Sequence, residues 1–256
     1  MQAAQKKVAQ FLDHLLALLP FEPPYFTAEG LDCTFVGHPI IESGASAGDA
    51  ARFRAKYSIK PETTILAVLP GSRMSEITKL MPIFGETIKR LKAQHPDLYV
   101  VIPAVANLSV TIKQQSRDWP LPVTIVETDE DKYDAFAAAK AALACSGTIA
   151  LELALARLPA VIAYKVSWVT YALYRRLMLV KYANLVNLMH DNMVVPELLQ
   201  QNCTPEKLSA TVHTLLTDED VRQKQISGLG DVAGWLGQGQ FVPSERAAAT
   251  VLGIVK

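Results

Sequence analysis

"ILAVLPGSRMSEI", residues 65–77, joins an apolar run to what reads as an amphipathic helix. Ile65 to Leu69 has the length and aliphatic character of a buried strand, and Pro70-Gly71 stops it. Gly71 lets the backbone approach a ligand closely, and Ser72 can accept hydrogen bonds from the free N–H groups of the new helix. A helix N-terminus attracts anions, and Arg73 adds a planar fork that matches phosphate oxygens. The Gly-Lys-Ser/Thr of a Walker A loop is absent. Read alone, the corner is equally well explained as a helix cap with a surface arginine.

Working outward, strand and helix patterns alternate from Thr63. Strand 63–69 leads to a helix around 75–94, which Pro82 is expected to divide or restart. Ile83, Phe84, Thr87, Ile88 and Leu91 share one face of it. "LYVVIPAV" is a strand, followed by a helix around 107–117. "VTIVET" precedes the helix "DKYDAFAAAK", "AALAC" precedes the helix opened by "SGTIALELALA", and "PAVIAYKV" is the next strand. The remainder reads as helical. Strands rich in Val, Ile and Ala alternating with helices imply a parallel sheet with right-handed crossovers. The expected fold is therefore α/β, a doubly wound Rossmann-like domain over about 43–225. Before it, residues 1–42 hold the end of a helix at 5–12, short strands at 14–19 and 33–36, and a Pro-rich exit. A helical tail occupies 226–256.

The 256 residues are half hydrophobic and carry 25 Lys and Arg against 25 Asp and Glu. That suits a globular protein with a sizeable core and gives no support for a nucleic-acid partner. Cys33, Cys145 and Cys203 lack CxxC spacing. They read as small buried apolar residues in a reducing compartment rather than as a zinc site or disulfide framework. The N-terminus does not have the pattern of a signal peptide, and no run reaches the roughly 20 apolar residues of a membrane span.

In doubly wound sheets ligands bind beyond the carboxyl ends of the strands. A second corner of this kind is "CSGTIALE". Ser146, Gly147 and Thr148 offer two hydroxyls and backbone N–H groups to a diphosphate. Glu152, one turn further on in a nearly all-apolar helix, could take the hydroxyls of a ribose. A solvated helix residue is the plainer reading of Glu152. A third stretch, residues 181–200, sets Asn184, Asn187 and His190 ahead of Pro196-Glu197 and Gln200. These are sugar-reading groups or, equally, turn residues and a helix start.

Taken in order, "LLPFEPPYF", "FVGHP", "LPGSR..EI", "SGT..LE", "NLV" and "PELLQ" resemble the lipid-A-disaccharide synthase family from about Asp13 to the C-terminus. The resemblance implies the donor-binding half of an inverting glycosyltransferase with two Rossmann domains. It implies transfer of 2,3-diacylglucosamine from its UDP donor to 2,3-diacylglucosamine 1-phosphate, giving a β-1′,6-linked disaccharide and UDP. The UDP-sugar is a substrate, so no cofactor is implied, and fixed positive groups make a metal unnecessary. The family would place Gly71, Ser72, Arg73, Ser146, Gly147, Thr148, Glu152 and Asn187 around the donor, with Tyr182, Glu197, Gln200 and His38 as secondary candidates. It also implies an N-terminal acceptor domain that supplies the general base, of which residues 1–37 resemble only the end. The tail near 240–255 would pack on it. The chain alone is then expected to bind a UDP-sugar without turning over, with a separate N-terminal half or a homo-oligomer left open as protein partners. Residues 166–186 combine aromatic and basic side chains and suggest contact with an anionic membrane surface. A core helix explains them as well. The implied location is cytoplasmic, peripheral on the inner face of a bacterial inner membrane. Another UDP-N-acetylglucosamine transferase or epimerase, and a non-catalytic nucleotide-sugar-binding remnant, are the competing readings.

Overall fold

The computed structural model describes residues 6–165 and 181–254. The chain divides into two compact units, one of Met1–Ser43 with Asp231–Lys256 and one of Gly44–Gly230. In the smaller unit, β1 (His14–Ala17) and β2 (Asp32–Phe35) pair in parallel with His14 opposite Asp32. The sequence suggested a strand running to Leu19. It ends at Ala17 because the N–H groups of Leu18 and Leu19 turn to Glu22 Oε2, at 3.0 and 2.8 Å. The Pro-rich exit is in fact a short helix, α1 (Pro23–Thr27), whose prolines sit in the first turn where no N–H is needed.

The larger unit begins with α2 (Ala50–Lys56), capped by Asp49 Oδ1, which accepts from the N–H groups of Ala51 and Arg52. Then come β3 (Ile65–Leu69), α3 (Met74–Gln94), β4 (Tyr99–Pro103), α4 (Ala106–Ser116), β5 (Val123–Val126) and α5 (Asp129–Ala138). β6 (Ala141–Cys145), α6 (Ile149–Leu155), β7 (Ala160–Tyr164), α7 (Leu185–His190), β8 (Glu197–Leu199) and α8 (Pro205–Thr217) follow. The helix α9 (Glu219–Trp235) contains the division between the units, and α10 (Pro243–Ile254) belongs to the smaller one.

The six strands are all parallel in the order β5-β4-β3-β6-β7-β8. Numbered within the domain this is 3-2-1-4-5-6, and the chain reverses direction across the sheet between β3 and β6. A crevice must open there, beyond the carboxyl ends of those two strands. Every residue of β3 and β6 is buried, as expected for central strands covered on both faces. Leu66, Val68, Leu143 and Val161 pack with Ile77, Phe84 and Ile88 of α3, with Ile112 of α4 and with Leu208, Val212 and Leu215 of α8. The alternate residues point the other way, where α5 meets β3 and β4 and α2 packs on α5.

Two sequence expectations need correction. Pro82 neither divides nor restarts α3, which is continuous from Met74 to Gln94. Its ring lies on the exposed side, while Ile77, Leu80, Met81 and Phe84 on the other side are fully buried and hold the helix to the sheet. The segment after β7 is not wholly helical either. Glu197–Leu199 forms an edge strand in register with Ile162–Tyr164. The membrane-surface reading of 166–186 falls mostly outside the described residues. Among those residues no helix is long and apolar enough to cross a membrane.

Candidate functional site

The two strand-to-helix corners singled out in the sequence face one cavity of about 430 Å³, within the range of small-ligand sites. From the β3–α3 corner it is lined by Gly71, Ser72, Arg73 and Glu76, and from the β6–α6 corner by Ser146, Gly147, Thr148 and Glu152. The ends of β4 and β5 close the far side with Pro103, Ala104 and Val126, and the start of α5 adds Thr128, Asp129 and Lys132. This is the crevice that the strand order demands.

The first corner is built differently from the sequence expectation. Arg73, not Ser72, is the residue that precedes the first turn of α3, and the capping oxygen comes from Glu76. Glu76 Oε2 accepts from the N–H of Ser72 at 2.9 Å and of Arg73 at 3.2 Å. Its other oxygen pairs with Arg73 Nη1 at 3.1 Å. Gly71 at φ 121° makes this possible, because it takes a left-handed conformation directly beside that carboxylate. The arginine side chain remains 77% exposed at the rim, so an anion entering the cavity competes with Glu76 for it.

At the second corner, Gly147 and Thr148 are exposed and Ser146 is half-buried, its Oγ leaning 3.4 Å toward the carbonyl of Ala183. Glu152 is not a solvated helix residue. Its side chain is 15% exposed, and its Oε2 lies 3.0 Å from Lys132 Nζ. Lys132 also contacts Asp129 Oδ1 at 2.8 Å. Burial alone would lower the lysine's pKa, but its interactions with Asp129 and Glu152 outweigh that and hold it well above the ordinary range. Cys145, at the floor of the cavity, has its thiol pushed up to about 12 by burial and is an inert wall.

The remaining candidates are not among the cavity-lining residues. Asn187 is fully buried. Its Nδ2 donates to the carbonyl of Val195 and to Glu197 Oε1, each at 2.7 Å, and its Oδ1 accepts from Val195 N–H at 2.8 Å. With both ends of the amide engaged, it holds the turn after α7. Glu197 is occupied in the same way, accepting from the backbone N–H groups of Ala183 and Asn184 ahead of α7. Tyr182 is buried with its hydroxyl 3.4 Å from the carbonyl of Asp191. Gln200 begins a single 3-10 turn at φ 50°. His38 lies in the smaller unit, where its Nδ1 accepts from Ile40 N–H and burial lowers its pKa.

Glu76, Asp129 and Lys132 were not read as site residues from sequence. Glu76 carried a usable signal, an acid three positions after the residue that opens a helix, as in a capping box. Lys132 had only its place just after a strand end. Among the described residues no group of three or more His, Cys, Asp and Glu is placed to hold a metal ion.

A family model described as lipid-A-disaccharide synthetase matches residues 2–250. The lipid-A-disaccharide synthase of Rhodospirillum centenum is 59% identical over 250 residues, which are 98% of this chain and 62% of that protein. That of Paramagnetospirillum magneticum is 49% identical over 98% of this chain and 65% of its own length. The chain thus spans somewhat under two thirds of these relatives. Among solved structures, UDP-GlcNAc 2-epimerase from Neisseria meningitidis bound to UDP-GlcNAc superposes with a TM-score of 0.68 over 96% of this chain at 14% identity. WaaG, a glycosyltransferase involved in lipopolysaccharide biosynthesis, gives 0.58 over 94%. At such identities these two show the shared fold alone.

Proposed function

The chain belongs to the lipid-A-disaccharide synthase family, and from that premise we propose that its larger unit is the donor-binding half of a glycosyltransferase. The reaction is transfer of 2,3-diacylglucosamine from a UDP donor to the 6-hydroxyl of 2,3-diacylglucosamine 1-phosphate, with UDP as the leaving group. One observation supports this above the others. Arg73 and the Ser146-Gly147-Thr148 bend, 73 positions apart in sequence, line the same cavity at the reversal point of the sheet.

In this reading the diphosphate lies between the two corners. As the glycosidic bond breaks, negative charge grows on it, and the Arg73 guanidinium leaves Glu76 to meet that charge. Hydroxyls of Ser72, Ser146 and Thr148 and the N–H of Gly71 are the neutral donors within the same cavity. Glu152 takes the ribose hydroxyls, and the apolar end formed by Pro103, Ala104 and Val126 receives the uracil ring. An epimerase acting on a UDP-sugar shares this fold, but at 14% identity its likeness carries no argument about activity. The acyl chains of both sugars fit peripheral contact with the cytoplasmic face of the inner membrane.

Calorimetric titration of the 256-residue chain with UDP tests the donor site. Micromolar binding that Arg73→Ala weakens by at least ~10-fold is expected from loss of a charge-assisted contact. Absence of UDP binding in the folded wild-type chain would favour a remnant without a working donor site.

A further inference from the structure

The proposed reaction gives Lys132 no role, yet it lines the donor cavity. Its ammonium is on α5, and it reaches Glu152 on α6 at 3.0 Å while keeping Asp129 at 2.8 Å. Its Nζ lies over the Tyr133 ring, 4.5 Å from the centroid. Lys132 and Glu152 are 19% and 15% exposed, whereas Asp129 is 81% exposed, so the bridge runs from the rim into the wall. Glu152 Oε2 is itself buried, which leaves Oε1 as the oxygen available to an incoming donor.

We propose that Lys132 is a positioning residue that keeps the Glu152 carboxylate aimed through a charge-assisted contact, so that the site selects a nucleotide carrying ribose hydroxyls over one that lacks them. The proposal rests on the reading that Glu152 receives the ribose. One carboxylate oxygen can accept from both hydroxyls of a ribose, and hydrogen bonds to a charged acceptor are the strong ones. Glu152 shares its cavity with Glu76, Glu127 and Asp129. Without a cation in contact, a largely buried carboxylate among other acidic groups swings toward solvent, and that takes the acceptor out of its place in the wall. Lys132 is itself locked between two carboxylates. Two of its three N–H donors are directed to carboxylates and only one is left for a diphosphate, and for that reason the positioning role is favoured over a phosphate contact.

The test is titration with UDP and with 2′,3′-dideoxyuridine diphosphate, using wild type, Lys132→Met, Lys132→Gln and Lys132→Arg, each checked for folding by thermal melt. Wild type should prefer UDP by about 10- to 50-fold, the worth of hydrogen bonds to a charged acceptor. Lys132→Met and Lys132→Gln should reduce that preference to within ~3-fold while affinity for the dideoxy nucleotide stays within ~3-fold of wild type. Lys132→Arg should restore most of the preference. A preference retained in the neutral variants overturns the proposal, and so does an equal loss for both nucleotides, which would place Lys132 on the diphosphate. A wild type that binds both nucleotides equally removes the role of Glu152, and this inference with it, while leaving UDP binding intact. A wild type that binds neither removes the proposed function itself. Lys132→Gln keeps a hydrogen-bond donor and decides the matter if Lys132→Met does not fold.

Discussion

The carboxylate of Glu76 stands where a side chain on Gly71 would have to begin. A Cβ built at residue 71 lies 2.3 Å from Glu76 Oε2 and 2.7 Å from its Cβ. Glycine at this position therefore serves the acid that caps α3 as well as any ligand. The φ of 121° would be strained for any other residue, even without the contact. Gly71→Ala should cost about 1–3 kcal/mol in stability and weaken UDP by at least ~10-fold, because Glu76 must move and Arg73 moves with it. A melting temperature and UDP affinity both unchanged from wild type would refute the account of this corner.

Glu76→Gln separates capping from charge. The amide oxygen still accepts from the N–H groups of Ser72 and Arg73, but the ion pair with Arg73 is lost. Stability should fall by roughly 0.5–1 kcal/mol, a downward shift of a few degrees in a domain of this size. Affinity for UDP should hold or tighten up to ~3-fold, since the freed guanidinium no longer has a competitor inside the cavity. Loss of UDP binding in a folded Glu76→Gln chain would mean that the pair with Glu76, not the free arginine, is what the nucleotide recognises.

The clamp between α2 and α5 gives a pH-dependent prediction. Asp134 accepts from Asp49 N–H at 2.7 Å and from Arg52 at 2.5 and 2.8 Å, and the neighbouring Asp131 accepts from Lys56 at 2.7 Å. Burial opposes ionisation of Asp134, but the Arg52 guanidinium and the Asp49 N–H outweigh it and hold its carboxyl below its ordinary value of 3.8. A depressed folded-state pKa stabilises the fold above about pH 4, and that contribution is lost as pH falls through the lower folded value. Asp134→Asn should therefore cost about 1–2 kcal/mol at neutral pH, discounted because Arg52 is half exposed, and the difference from wild type should shrink below pH 4. Urea titrations across that range would show it, and a difference independent of pH would contradict it.

The parallel sheet was legible because the strands of the larger unit other than β8 are short aliphatic runs alternating with helices. β8 was not, since Glu197-Leu198-Leu199 has no β-branched residue and becomes a strand only by pairing with Ile162–Tyr164. That Arg73, Ser146, Gly147, Thr148 and Glu152 meet at one cavity was legible for a topological reason, in that parallel crossovers bring successive strand ends to one edge. Lys132 was hidden because its meaning depends on Glu152, 20 positions away and on another helix. Asn187 and Glu197 were ambiguous because an amide beside a carboxylate has the same composition whether it binds a sugar or ties a turn. Only the hydrogen-bond partners distinguish the two.

That distinction is testable at Asn187. Truncation to alanine leaves the N–H and carbonyl of Val195 without partners and takes a donor from Glu197, all around a fully buried site. Unsatisfied buried groups of this kind, with the small cavity added, should cost about 2–4 kcal/mol. Because the buried amide is engaged in holding the turn and does not line the cavity, UDP affinity of the fraction that remains folded should stay within ~3-fold of wild type. Asn187→Asp should fare worse than Asn187→Ala, since a second carboxylate would face Glu197 Oε1 in place of the donor at 2.7 Å. Thermal melts combined with calorimetry well below the transition read both quantities. Full stability in Asn187→Ala together with a loss of UDP binding of more than ~10-fold would return this asparagine to the list of ligand contacts, because only a direct contact carries that much affinity without supporting the fold.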